Sequence, residues 1–126
     1  SFLSDGNKDN DKIWRSAVYR EYCALDQWPS NPQGLSYGGN IRLRTLSSLL
    51  SMCEIVSECW GRVSFPFLIL HDPEDVITKY SGSVKAKTIA QSADKTLREV
   101  PSGLHDILAN DLVESMEIII NWLDEH

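Results

Sequence analysis

Two short stretches carry the residue types from which acid–base chemistry is built. The first is His71-Asp72-Pro73-Glu74-Asp75, directly after the apolar run Pro66-Phe67-Leu68-Ile69-Leu70. The second is Leu104-His105-Asp106, directly after Pro101-Ser102-Gly103. Asp75 and His105 stand 30 residues apart, room for one strand–helix–strand unit. A carboxylate that accepts a hydrogen bond from one imidazole nitrogen fixes the ring's tautomer. The other nitrogen is then left as a base for a hydroxyl nucleophile. On spacing alone, a loop histidine near a loop aspartate is more often a solvated surface pair, and both readings stay open at this point.

The elements that would have to position the pair can be read from hydropathy. Residues 66–70 form a short continuous apolar run, the pattern of a strand buried on both faces in a helix-covered parallel sheet. Ser83 to Ala93 reads as a helix with Val84, Ile89, Ala90 and Ala93 facing inward, and Lys95 to Val100 as a second strand. The last helix starts after Asp111, which is placed to cap it, with Glu114 completing a capping box. Its apolar stripe is Leu112, Met116, Ile119, Ile120 and Leu123. The order strand–loop–helix–strand–loop–helix implies parallel strands joined by right-handed crossovers. Functional groups in such sheets gather beyond the C-terminal strand ends, where Asp75 and His105 both fall. Two strands are too few for a stable open sheet and leave unpaired edges, so further sheet is expected from elsewhere.

The preceding half is more irregular. Residues 1–12 read as a solvated loop and residues 13–25 as a short helix. Pro29, Asn31-Pro32 and Gly34 mark an irregular connection, and Gly38-Gly39-Asn40 marks a turn. Thr45 to Trp60 has a helical stripe of Leu46, Leu49, Leu50, Cys53, Val56 and Trp60, expected to pack in a core, with Gly61 ending the helix.

Composition removes several function classes. The net charge is −6 and no basic run occurs, which argues against a nucleic-acid surface or an electrostatic membrane anchor. No run of 18 apolar residues exists, so no transmembrane segment is expected. Cys23, Cys53 and Cys59 are odd in number and lack C-x-x-C spacing, and so read as reduced core thiols of an intracellular, cytoplasmic protein. His71 with Asp72, Glu74 and Asp75 could ligate a divalent ion, but no second cluster supplies further ligands. His126 is expected to be solvated. Trp14, Trp28, Trp60 and Trp122 read as core or interface anchors.

The segment Pro66–Thr78 resembles the strand-and-acid signature of the monoacylglycerol lipase-like serine hydrolases, which include lysophospholipase and caffeoylshikimate esterase relatives. In that family an apolar strand runs into His-Gly-x-x-Asp-x-Val-Thr. Gly82-Ser83, Ser92-Ala93-Asp94-Lys95-Thr96-Leu97, Leu104-His105-Asp106-Ile107-Leu108 and Ile119-Ile120-Asn121-Trp122-Leu123 resemble the segments that follow. Ser30-Asn31-Pro32 and Ile41-Arg42-Leu43-Arg44-Thr45 resemble the end of the family's cap region. The likeness covers roughly residues 28–126. It implies the C-terminal portion of an α/β-hydrolase fold: a parallel βαβ unit plus closing helix in residues 63–126, preceded by a helical cap segment in residues 1–62. It further implies Asp75 as triad acid and His105 as triad base, with no cofactor and no metal. The expected substrate is a small-molecule ester or lipid, and the expected partner is the N-terminal half of the hydrolase core.

Departures from the family pattern define what the structure must answer. Asp72 stands where the family has Gly, so the turn presenting Asp75 is expected to be altered, and Asp72 and Glu74 remain alternative acids. Lys79-Tyr80 replaces a frequent Asp-Pro, which removes the next helix's N1 proline. The loop after His105 is slightly short. No G-x-S-x-G stands between an apolar strand and a helix, the setting of a nucleophilic serine: Gly34-Leu35-Ser36-Tyr37-Gly38 has the spacing but falls in the irregular connection, and Tyr80-Ser81-Gly82-Ser83 and Ser102-Gly103 have the wrong spacing. A glycine-rich oxyanion loop is missing as well, so these 126 residues alone are expected to be inactive. Two classes follow: a serine ester hydrolase whose nucleophile lies elsewhere, or a non-catalytic hydrolase-like protein that binds a ligand or partner.

Overall fold

The structure is a computed structural model and describes residues 10–28, 31–34, 36–37 and 42–126. The expected turn at Gly38-Gly39-Asn40 lies outside the described residues, as do residues 1–9 of the expected N-terminal loop. In chain order the elements are α1 (Asn10–Ile13), α2 (Ala17–Leu25), β1 (Gln27–Trp28), β2 (Ser36–Tyr37), α3 (Leu43–Cys59), β3 (Phe67–His71), α4 (Tyr80–Ile89), β4 (Lys95–Glu99), α5 (Ile107–Asn110) and α6 (Leu112–Glu125). The helix expected over 13–25 is α2, separated by Trp14-Arg15-Ser16 from α1, which begins at Asn10 within the stretch expected to be a loop. Ser16 caps α2 by accepting from the Tyr19 amide.

The site depends on β3 and β4. They pair in parallel, in a register running from Phe67↔Lys95 to His71↔Glu99. Both strands therefore end at the same level, and the amide of Val100 closes the rim by donating to the His71 carbonyl at 3.1 Å. The loops that follow must leave from one edge. β1 and β2 form a separate parallel pair of two residues each. Gly34 serves the turn between them, because a Cβ there would meet the Asp26 carbonyl oxygen at 1.9 Å.

Several expected faces are rotated or uncovered. β3 is buried only at Phe67 and half-buried beyond it, because no third strand flanks the pair among the described residues. α4 begins and ends earlier than its hydropathy suggested. The chain turns extended at Ala90 and is pinned by Ser92, whose amide donates to Val63 O and whose hydroxyl donates to Asp94 O. Ala86 and Ala90 are consequently the buried contacts, and Val84, Ile89 and Ala93 are exposed.

α6 packs through Ser115, Ile118, Ile119 and Trp122, leaving Leu112, Met116, Ile120 and Leu123 of the expected stripe exposed. Asp111 does cap α6, accepting from the Glu114 amide. Its own amide already donates to Ile107 O, so the returning half of a capping box has no donor left. α3 buries no residue; Leu50 and Ile55 are 58% and 60% exposed. It ends in a 3₁₀ turn over Trp60–Arg62 rather than at a left-handed glycine, and no described glycine has a positive φ. The cysteines are free but not core residues: Cys53 is exposed, and Cys23 and Cys59 are half-buried.

The core that forms among the described residues is small, namely Phe67, Ala86, Ala90 and Val100. Trp60 packs on Phe67 with ring centroids 5.3 Å apart, which anchors the end of α3 to the sheet. No helix among the described residues is long and apolar enough to cross a membrane.

Candidate active site

The loop leaving β3 is built to hold one carboxylate. The Asp75 amide donates to the Asp72 carbonyl at 3.0 Å, closing a turn. Asp75 Oδ1 then accepts from the amides of Ile77 (2.7 Å) and Thr78 (3.1 Å), and Oδ2 accepts from the Thr78 hydroxyl (2.7 Å). Only 4% of the Asp75 side chain is exposed. Burial pushes its pKa up, but the Thr78 hydroxyl, His105 and the Thr78 and Ile77 amides together outweigh burial and hold it at about 2. Asp75 is therefore ionised across the physiological range.

The loop leaving β4 brings His105 to that carboxylate, with Nδ1 3.0 Å from Asp75 Oδ2. Thr78 Oγ1 lies 3.5 Å from the same nitrogen. An ionised Asp75 can only accept, so Nδ1 carries the proton and Nε2 is the basic nitrogen. No described residue bonds Nε2, and 34% of the His105 side chain is exposed. The tautomer and the access that a general base requires are both present.

The histidine loop is also tied from outside. The Trp14 indole donates to Asp106 Oδ2 at 2.9 Å, while Asp106 Oδ1 caps α5. The Arg15 guanidinium donates to the carbonyls of Ser102 (2.6 Å) and Pro101 (2.9 Å). Asn110 links Ile13 O and Gly103 O through its side-chain amide and accepts from the Arg15 amide. Ser102 donates to Asp111, which lowers the pKa of that carboxyl.

The serine aminopeptidase S33 family model of hydrolases matches residues 16–112. The chain belongs to this family. Its parallel β3–β4 pair, the intervening α4 and the closing helices are a part of the α/β-hydrolase fold that the family implies. A caffeoylshikimate esterase of Arabidopsis thaliana is 33% identical over 100 residues, covering 76% of this chain. The chain spans 30% of that relative's length.

Within this hydrolase domain the other candidate residues fall as follows. Asp72 is fully buried and bonds backbone amides instead of His105. Its Oδ1 accepts from the Glu74 amide (2.8 Å) and its Oδ2 from the Leu104 amide (2.7 Å). Glu74 is exposed. Neither makes the contact to His105 that Asp75 makes. The strain expected of an Asp at position 72 is absent, since Leu104 (φ 46°) is the described non-glycine residue with positive φ.

His71 is bonded at both ring nitrogens, Nδ1 to Ser83 Oγ (2.7 Å) and Nε2 to Thr78 O (3.1 Å), with Asp75 Oδ2 3.7 Å from Nε2. A carbonyl accepts only, so Nε2 bears the proton and Ser83 donates to Nδ1. Neither nitrogen is left for a metal. Among the described residues no group of three or more His, Cys, Asp and Glu could hold one. His126 is not simply solvated: it stacks on Trp122 at 4.3 Å and reaches Asp94 at 2.6 Å. Trp14 and Trp60 act as anchors through Asp106 and Phe67, and the side chain of Trp28 lies outside the described residues.

Hydropathy reasoning gave no role to Thr78 or to the Ile13–Arg15 strap. The spacing Asp-x-x-Thr, which suits an acid bonding the amide and hydroxyl three residues on, was the available signal for Thr78. The strap has no short-range signal, because its partners lie 86 to 97 residues away.

Proposed function

We propose that this chain supplies the acid and the base of a serine hydrolase acting on carboxylic esters, with Asp75 as the acid and His105 as the base. The observation that carries the reading is the 3.0 Å contact between His105 Nδ1 and a buried Asp75 carboxylate, made by loops leaving one sheet edge. Residues 1–62 act as the cap side of the domain and residues 63–126 as part of its core. The nucleophilic serine and the oxyanion donors come from outside these 126 residues, whose one G-x-S-x-G, at Gly34–Gly38, puts Ser36 in the two-residue strand β2 of a sheet separate from β3–β4, not in a turn from an apolar strand into a helix.

In this reading His105 Nε2 takes the proton of the serine hydroxyl as the oxygen attacks the ester carbonyl. The same nitrogen returns that proton to the departing alcohol, leaving an acyl-serine. It then takes a proton from water as the water attacks the acyl group, and returns that proton to the serine oxygen as the acyl–oxygen bond breaks, releasing the acid and free serine. Asp75 stays ionised throughout, holds the ring orientation and stabilises the imidazolium at each transfer. Ester rather than peptide substrates are favoured by the likeness to a caffeoylshikimate esterase. The motif around His71–Thr78 favours monoacylglycerol- or lysophospholipid-type esters, entered past the apolar cap helix α3.

A fluorophosphonate probe reacts only with an activated serine, and so tests the reading. The intact protein is expected to be labelled, and labelling is expected to be lost in His105→Ala. An intact protein that is never labelled would instead be a non-catalytic ligand- or partner-binding member of the family.

A further inference from the structure

The turn that carries Asp75 contains a second buried carboxylate that the proposed chemistry does not use. Asp72 has no exposed surface, and its two oxygens do different work. Oδ1 closes its own turn through the Glu74 amide, whereas Oδ2 reaches 32 residues along the chain to the Leu104 amide at 2.7 Å. Leu104 immediately precedes His105 and sits at φ 46°. That conformation is unfavourable for a leucine, and it persists only where the surroundings impose it.

What imposes it is visible on both sides. Gly103 is wedged so that a Cβ would meet Ile107 Cγ1 at 2.7 Å, while its amide is held by Val100 O. Leu104 is the next residue, and a bond from its N–H to a carboxylate is charge-assisted, roughly twice as strong as a neutral one. With Leu104 N–H held on Asp72, relaxing Leu104 to a negative φ would swing His105 off Asp75; with His105 held, it would turn the N–H away from Asp72.

The geometry points to Asp72 as a positioning residue: its carboxylate fixes the left-handed backbone at Leu104 and thereby aims His105 Nδ1 at Asp75. This rests on the reading of Asp75 and His105 as acid and base. The two carboxylates of one turn divide the task, Asp75 holding the ring and Asp72 holding the backbone that carries it.

The test is Asp72→Asn in the intact protein. The substitution keeps size, but sets an NH₂ group against one of the two backbone N–H donors. The expected result is a folded protein in which the downfield Nδ1 proton resonance of His105 is lost or broadened and the Asp75 carboxyl titrates well above its value in the unmutated protein. Ester kcat is expected to fall by about 10- to 100-fold with KM within about twofold, the effect of a reacting group misplaced by an ångström or less. A folded variant with the Nδ1 resonance and kcat unchanged overturns the positioning role and leaves the acid–base reading intact. Conversely, an Nδ1 resonance already absent from the unmutated protein counts against the acid–base reading itself. Amide exchange at Leu104 in the unmutated protein judges the link even where the variant fails to fold: slow exchange supports it, and exchange as fast as an exposed loop amide overturns it.

Discussion

The rim loops and the helix faces of this molecule are finished to very different degrees. In residues 72–78 and 101–106 the buried acidic groups have their partners: Asp75 accepts from two amides, a hydroxyl and an imidazole, and Asp72 from two amides. On α3 and α6, by contrast, Leu50, Ile55, Leu112 and Ile120 lie open, and Ser115 Oγ and Trp122 Nε1 are buried without a hydrogen-bond partner among the described residues. A site of this kind is specified by short turns and by the shared end of two paired strands. A core is specified by layers on both faces of a sheet, and a sheet of two strands cannot cover helices that are apolar on more than one side. The difference teaches that the proposed acid–base pair is set locally, even where the packing around it is open.

The largest expected effect that would sharpen this contrast is on turnover. Asp75→Asn removes the acceptor charge that faces His105 Nδ1 and favours the wrong tautomer. The intact protein should lose about 10⁴-fold in kcat while remaining folded. A loss below tenfold would place the acid elsewhere.

How far the sequence carried the account follows from the same contrast. The β3–β4 pairing, the rim position of both loops and the Asp111 cap were legible because each is written within a few residues: an apolar run, an abrupt polar stop, an Asp before an apolar helix. Asp72 was legible only as a departure from a glycine pattern. Its bond to Leu104 was not, because it depends on where a backbone amide 32 residues away points. The buried faces of α4 and α6 were misjudged for a third reason. Hydropathy marks which side chains are apolar, but the layer that covers them decides which are buried, and Ala86 and Ser115 are buried where larger residues are not.

Packing offers the next test. Phe67→Ala cuts into the small core and should cost about 3 kcal/mol in denaturant unfolding of this chain. Ile55→Ser, on the open face of α3, should cost under about 0.5 kcal/mol. Equal losses would mean that α3 is covered in solution by a layer these residues do not show.

A smaller effect should appear with acid. Asp75 titrates at about 2 in the folded chain against 3.8 for an ordinary aspartate. Its folded value lies below its unfolded one, so its stabilisation is fully present above about pH 4 and is lost as the pH falls toward 2, with a total on the order of 2 kcal/mol. Thr78→Val deletes the hydroxyl bond to the carboxylate. It should move the loss to higher pH and cost about 1 kcal/mol near neutrality, measured by chemical unfolding across pH. An unchanged acid limb would remove Thr78 from the carboxylate's support.

The pairing of Asp75 with His105 as acid and base is tested most directly by ester turnover of the intact protein with His105 replaced by alanine. The account predicts that hydrolysis falls to the uncatalysed background while the variant keeps its cooperative unfolding. Hydrolysis at the rate of the unmutated protein would contradict it.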